Sequence, residues 1–151
     1  IEALSRLRKM TGLRIVTGEK NCGLPHFRSV LTADAADILN PDIAGMGGIL
    51  DMLDLAEMAH RRDVGISPHC WNSMTVAAAA MLHVCAAIPN AEMAEIYPEY
   101  IEPGSEFATT GFRVDGIHAH LSGQPGLGVE IDTGSLHSLS EHYQSSRPTA
   151  G

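Results

Sequence analysis

Val64-Gly-Ile-Ser-Pro-His-Cys-Trp-Asn-Ser73 decides how this chain is read. It predicts a short apolar strand that ends at Pro68 and His69, then a helix opening near Asn72. In α/β proteins, chemistry sits on polar, titratable side chains at the carboxyl ends of buried strands. Three acids take comparable places. Glu19 follows Leu13-Arg-Ile-Val-Thr-Gly18, Asp42 follows Ala36-Asp-Ile-Leu-Asn-Pro41, and Glu95 follows Ala91-Glu-Met-Ala94. The steps from 19 to 42, 42 to 69 and 69 to 95 are 23, 27 and 26 residues. One strand–helix unit of a closed parallel barrel takes about 30 residues. The four side chains therefore recur about once per unit, at the same end of successive strands.

The flanking sequence supplies the rest of the pattern. Ile1, Leu4 and Leu7 recur at helical spacing, and Gly12 ends that helix. Leu13 to Thr17 predicts a first strand, and Phe27, Val30 and Leu31 the face of a short helix. Ala36 to Leu39 is a second strand, followed by a helix from about Ile49 to Arg62 with a core stripe of Ile49, Leu53 and Ala56. Arg61 and Arg62 suit the negative end of that helix dipole. Val64 to Ser67 is a third strand. Met74 to Ala87 is a helix apolar on nearly all sides, as a helix buried against a sheet and its neighbours must be. Ala91 to Ala94 is a fourth strand. Tyr97 to Thr110 reads as irregular loop. Phe112 to Leu121 reads as a strand, Ser122 to Gly126 as a turn and Leu127 to Ile131 as the partner strand of a β-hairpin. A short helix from Thr133 to about Tyr143 and a frayed polar tail, Gln144 to Gly151, close the chain.

Short strands alternating with helices predict a parallel sheet with right-handed crossovers. The expected fold is α/β: a partial (β/α) TIM-like barrel of about four βα units, then a C-terminal β-hairpin and short helix. Residues 1–96 form the barrel portion, and 97–151 an extension packing on the barrel or on a capping domain. Four units do not close a barrel and leave open edges, which proteins usually cover or pair. Either further units precede Ile1 or two copies complete each other, and a homo-oligomer is expected. The chain opens on Ile1 inside a helical pattern, which predicts a fragment of a longer protein.

The formal charge of −8 argues against nucleic acid, whose phosphates call for excess Lys and Arg. No apolar run reaches the ~18 residues of a membrane span. Three cysteines, Cys22, Cys70 and Cys85, lie inside element-like segments and read as reduced thiols of a cytoplasmic protein.

Three segments carry a family resemblance: Ile15-Val-Thr-Gly-Glu19, Leu39-Asn-Pro-Asp-Ile-Ala-Gly-Met-Gly-Gly48 and Ile66-Ser-Pro-His69, with support from Pro125-Gly-Leu-Gly-Val-Glu-Ile-Asp132. Together they resemble the carboxyl half of the enolase superfamily, in the mandelate racemase-like subgroup. An acid at Asp42, where muconate cycloisomerase-like members have Lys, favours the racemase-like and sugar-acid-dehydratase-like branch. The resemblance implies a modified (β/α)7β barrel with a capping domain, and Mg²⁺ held by three carboxylates. It makes Glu19 the third metal ligand and His69 and Asp42 a catalytic dyad. Glu95 becomes an acidic hydrogen-bond donor to the developing enolate. The other two metal ligands fall before Ile1. The implied activity is Mg²⁺-dependent abstraction of the proton α to a carboxylate, with dehydration of an acid-sugar substrate. A racemase or epimerase, and a catalytically silent truncated barrel half, remain the alternatives.

The residue types suit that chemistry. A proton α to a carboxylate is weakly acidic, so its removal needs a cation near the carboxylate and a placed base. Imidazole titrates near neutrality, and a carboxylate on its other nitrogen fixes the tautomer. Mg²⁺ prefers oxygen ligands such as Glu19. Glu92 rivals Glu95 but sits on the opposite strand face. His118 and His120 alternate as two ligands would, without a third. Gly45-Met-Gly-Gly48 resembles a phosphate loop loosely and lacks its Lys. Trp71, Tyr97 and Tyr100 are candidates for a substrate wall.

Overall fold

The first helix ends where glycine permits it to. α1 (Glu2–Thr11) stops at Gly12, which takes φ 66° and donates its N–H to Arg8 O at 3.2 Å. The structure, a computed structural model, describes residues 1–70 and 75–146. After α1 come β1 (Val16–Thr17), α2 (Leu24–Thr32), β2 (Ile38–Leu39), α3 (Ile43–Met46), α4 (Ile49–His60), β3 (Gly65–Ile66) and α5 (Thr75–Ala87). α6 (Pro98–Gly104), the strands β4 (Phe112–Asp115) and β5 (His118–Leu121), and α7 (Thr133–Ser146) complete the order. The predicted opening of the fifth helix near Asn72 lies outside the described residues, as do the last five residues of the tail. Among the described residues no helix is long and apolar enough to cross a membrane.

β1, β2 and β3 form one parallel sheet in that order, with Val16 opposite Ile38 and Leu39 opposite Ile66. Each strand is shorter than expected, but the ladder runs on: Asn40 N–H donates to Thr17 O at 2.9 Å, and His69 N–H to Pro41 O at 3.0 Å. The fourth predicted strand is reduced to a bridge. Ala91 pairs parallel with Ile66, and Glu92 N–H donates to Ile66 O at 2.8 Å.

The core lies between this sheet and its crossover helices. Phe27, Val30 and Leu31 of α2 meet Met52, Leu55, Ala56 and Ala59 of α4, and Ala78, Ala79, Met81 and Val84 of α5. The α2 face agrees with the sequence. The α4 face does not: Ile49 and Leu53 are exposed, at 40% and 36%, and only Ala56 of the predicted stripe is buried. Both stripes satisfy a 3.6-residue period; the buried one is turned by about one residue. Arg62 donates to Leu31 O at the end of α2 at 3.1 Å, while Arg61 pairs with Glu57. Arg62 thus bonds the end of a neighbouring helix.

Two corrections fall after residue 97. Tyr97 to Thr110 is not all loop, because Pro98 starts α6, where its fixed φ and missing N–H cost nothing. The predicted hairpin partner is also wrong. β4 pairs antiparallel with β5, Asp115 opposite His118, around a two-residue loop with Gly116 at φ 60°. Leu127 to Ile131 instead lies against the segment before β4: Ala108 bridges Ile131, and Thr109 N–H donates to Glu130 O at 2.9 Å. Asp132 caps α7, accepting from Gly134 N–H at 2.9 Å and Ser135 Oγ at 2.8 Å.

Candidate active site

Parallel pairing carries the strand-end side chains to one place. Leu39 pairs with Ile66 and Asp42 with His69, both at an offset of 27 residues. The ladder between β2 and β3 thus continues, three residues on, into Asp42 and His69. Glu95 arrives through the next register: Cys70 N–H donates to Glu95 Oε2 at 3.1 Å, an offset of 25 residues, as between Ile66 and Ala91. Glu19 follows Gly18, whose φ of 137° favours glycine. A Cβ at Gly18 would stand 2.7 Å from the Phe27 ring.

Of the four side chains predicted from the sequence, the three acids converge on the ring of the fourth, His69. Nδ1 lies 3.2 Å from Asp42 Oδ2, and Nε2 lies 3.6 Å from Glu19 Oε2 and 3.9 Å from Glu95 Oε2. The His69 and Asp42 side chains are 13% and 14% exposed, against 34% for Glu95 and 49% for Glu19. The pair is sheltered and the two glutamates form the wetter rim. Lys20 Nζ stands 4.0 Å from Glu19 Oε1. An open cleft of about 520 Å³ is lined by Glu19, Lys20, Asp42, Gly45 and His69. A larger hollow of about 720 Å³ lies beside the hairpin, lined in part by Thr110, Phe112, Arg113 and His120; none of the four strand-end side chains lines it.

Asp42 works with both oxygens. Oδ1 accepts from Ala44 N–H at 2.9 Å and Gly45 N–H at 3.2 Å, capping α3. Oδ2 is left to His69. With Asp42 as acceptor, Nδ1 carries the ring hydrogen and Nε2 keeps its lone pair toward the cleft. The same cap disposes of the phosphate-loop reading. The Gly47 and Gly48 N–H groups donate to Ile43 O, and Met46 N–H donates to Asp42 O, so these donors turn inward.

Glu92 is accounted for elsewhere. Its carboxylate takes two hydrogen bonds from Arg14, at 2.5 and 3.2 Å, and this pairing holds it below the usual carboxylate range. Tyr97, expected in a substrate wall, donates its hydroxyl to Glu95 Oε1 at 3.0 Å. Trp71 and the Tyr100 side chain lie outside what is described. His118 and His120 stay exposed on β5. Sequence reasoning missed Cys70 N–H and the Tyr97–Glu95 bond. The first follows from strand register, and the second has no spacing signal.

Among the described residues no three His, Cys, Asp or Glu side chains come together as a metal site. Glu19 offers one hard oxygen donor at the cleft, the chemistry Mg²⁺ favours. The described residues therefore fit one share of a divalent-cation site.

A parallel sheet crossed by helices, with titratable side chains gathered at the carboxyl ends of its strands, defines a mixed α/β protein. The chain belongs to the enolase C-terminal domain-like family, which matches residues 1–135. It is 34% identical over 137 residues to a D-galactonate dehydratase of Ralstonia nicotianae, covering 87% of this chain and 36% of that protein. An enolase from environmental shotgun sequencing of the Sargasso Sea superposes with a TM-score of 0.88 at 45% identity, covering 92% of this chain and 37% of that one. A Pseudomonas fluorescens enolase solved with bound magnesium, potassium and tartrate superposes at 0.81 and 28% identity, covering 95% and 34%. The chain thus spans about 36% of the length of the curated relative it matches.

Proposed function

We propose that this chain is the carboxyl-terminal share of a (β/α)7β-barrel lyase that removes the proton α to a carboxylate and dehydrates a sugar acid. Residues 1–96 form the barrel portion and 97–151 its extension. The observation that carries the reading is the orientation of His69: one nitrogen bonded to Asp42 at 3.2 Å, the other turned toward the cleft between Glu19 and Glu95. The likeness to dehydratases supports the reaction class.

In this reading His69 Nε2 takes the α proton, and the C–H electron pair spreads onto the substrate carboxylate. Asp42 steadies the imidazolium that results. Glu95, when it carries a proton, gives a hydrogen bond to the carboxylate oxygen where charge builds. His69 then returns its proton to the β-hydroxyl, which leaves as water when its C–O bond breaks. The remaining enol tautomerises to a 2-keto acid. Glu19 serves as one ligand of Mg²⁺, the other ligands coming from elsewhere in the complete protein. When bound, the ion offsets negative charge on the substrate carboxylate.

The test uses the full-length protein with Mg²⁺, D-galactonate and a panel of other acid sugars, assayed for 2-keto acid. Release of 2-keto acid is expected. α-Proton exchange in D₂O without loss of water would identify a racemase or epimerase instead. Absence of both turnover and exchange with every hydroxy acid removes the proposal.

A further inference from the structure

Two donors hold the Glu95 carboxyl, one on each oxygen. Cys70 N–H reaches Oε2 at 3.1 Å and the Tyr97 hydroxyl reaches Oε1 at 3.0 Å. The two oxygens therefore face different surroundings. Oε2 lies on the side of His69, 3.9 Å from its Nε2. Oε1 points away, toward Tyr97. The tyrosine is itself well fixed. It stands at the N-cap of α6 with φ −112° and ψ 102°, and Pro98 follows it. Proline holds the residue before it in the extended region, so the phenol approaches Glu95 from a set direction.

From this geometry we infer that Tyr97 is a positioning residue that fixes how the Glu95 carboxyl is turned. With Oε1 held by the Tyr97 hydroxyl and Oε2 by Cys70 N–H, Oε2 is kept beside His69 Nε2. Without the phenol hydroxyl, Cys70 N–H is left to hold the carboxyl through Oε2, and the group gains freedom to rotate. This inference rests on the role given to Glu95 above.

The experiment uses Tyr97→Phe, which keeps the ring and removes one hydroxyl. Circular dichroism and melting confirm that the variant folds. Turnover of D-galactonate with Mg²⁺ is then compared for wild type, Tyr97→Phe, Glu95→Gln and the double variant. Loss of a supporting hydrogen bond typically costs about 10–100-fold in activity. We expect kcat to fall about tenfold or more in Tyr97→Phe, with KM within about twofold of wild type, and the double variant to be no slower than Glu95→Gln. A second readout needs no turnover. The ¹³Cδ resonance of Glu95, assigned by its loss in Glu95→Gln, is expected to move in Tyr97→Phe. Wild-type kcat in Tyr97→Phe beside a slow Glu95→Gln overturns the inference and leaves the site reading intact. Wild-type kcat in Glu95→Gln overturns the role of Glu95 and the inference with it. If D-galactonate is not turned over at all, an unmoved ¹³Cδ resonance overturns the inference and a moved one supports the hold on Glu95.

Discussion

Asp42→Asn separates the two jobs of one side chain. Asparagine caps helices about as well as aspartate, so the melting temperature is expected to stay close to wild type. Its amide, however, donates to His69 Nδ1 and moves the ring hydrogen to Nε2, the nitrogen that faces the cleft. In the full-length protein kcat is expected to fall about 10²–10⁴-fold, the worth of a general base held in its working tautomer. Unchanged turnover would remove the dyad. Gly18→Ala tests the approach to Glu19. The added Cβ meets the Phe27 ring at 2.7 Å and sits on a backbone at φ 137°. A loss of about 1–3 kcal/mol in urea denaturation is expected, and a neutral result would show that Phe27 moves aside freely. The four strand-end positions were legible because parallel register repeats: a pairing at Leu39–Ile66 dictates one at Asp42–His69. Glu95 was preferred to Glu92 on spacing, face parity and the family resemblance, and Arg14 now explains where Glu92 goes. The Tyr97 bond was not legible, since it depends on how α6 begins and no periodicity encodes that.

Arg8 ties α1 to the start of β2. Its guanidinium meets Asp37 Oδ1 at 2.8 Å through Nη2 and Asp34 Oδ1 at 2.6 Å through Nη1. The hydrogen bond from Arg8, helped by Ile15 N–H and opposed by partial burial, holds the Asp37 carboxyl below the usual carboxylate range. Its folded value therefore lies below its unfolded one. The stability it contributes is full above the unfolded value, about pH 4, and is lost as pH falls through the folded value. Unfolding free energy measured in urea is expected to drop on acidification below about pH 4, and less steeply in Asp37→Asn. An identical slope in the variant would show that the α1 tie carries no pH dependence. Glu92 and Asp132 share the same sign, held low by Arg14 and by Ser135. Element identities before residue 97 were mostly legible; faces and partners were less so. The α4 stripe failed because two overlapping stripes fit one period, and packing on α2 and α5 chose between them. The hairpin failed because Phe112–Leu121 was taken as one strand. Gly116 was the overlooked turn signal: it opens the two-residue loop at φ 60°, a conformation glycine favours.

At the scale of the molecule, β1 stands at the edge of the sheet among the described residues. Met10, Leu13 and Val16 there are 77%, 65% and 52% exposed. The order of strands and crossovers was legible from length and alternation. The chain taken alone is expected to show no saturable Mg²⁺ binding in micromolar calorimetry, since Glu19 brings one ligand and the described residues hold no cluster of three. A tight site in the isolated chain would mean that its own residues complete the coordination. Sedimentation of the same sample is expected to show association that weakens when Val16 is replaced by Lys, a residue natural edges use against pairing. A monomer at all concentrations would place the contact elsewhere.

The double use of Asp42 also governs how this segment drifts over evolutionary time. A descendant that abandons catalysis still gains from an acid or amide that begins α3. Retention at 42 is therefore a poor marker of living chemistry among divergent copies. The imidazole at 69 caps no helix among the described residues, so decay after a loss of selection should reach His69 first.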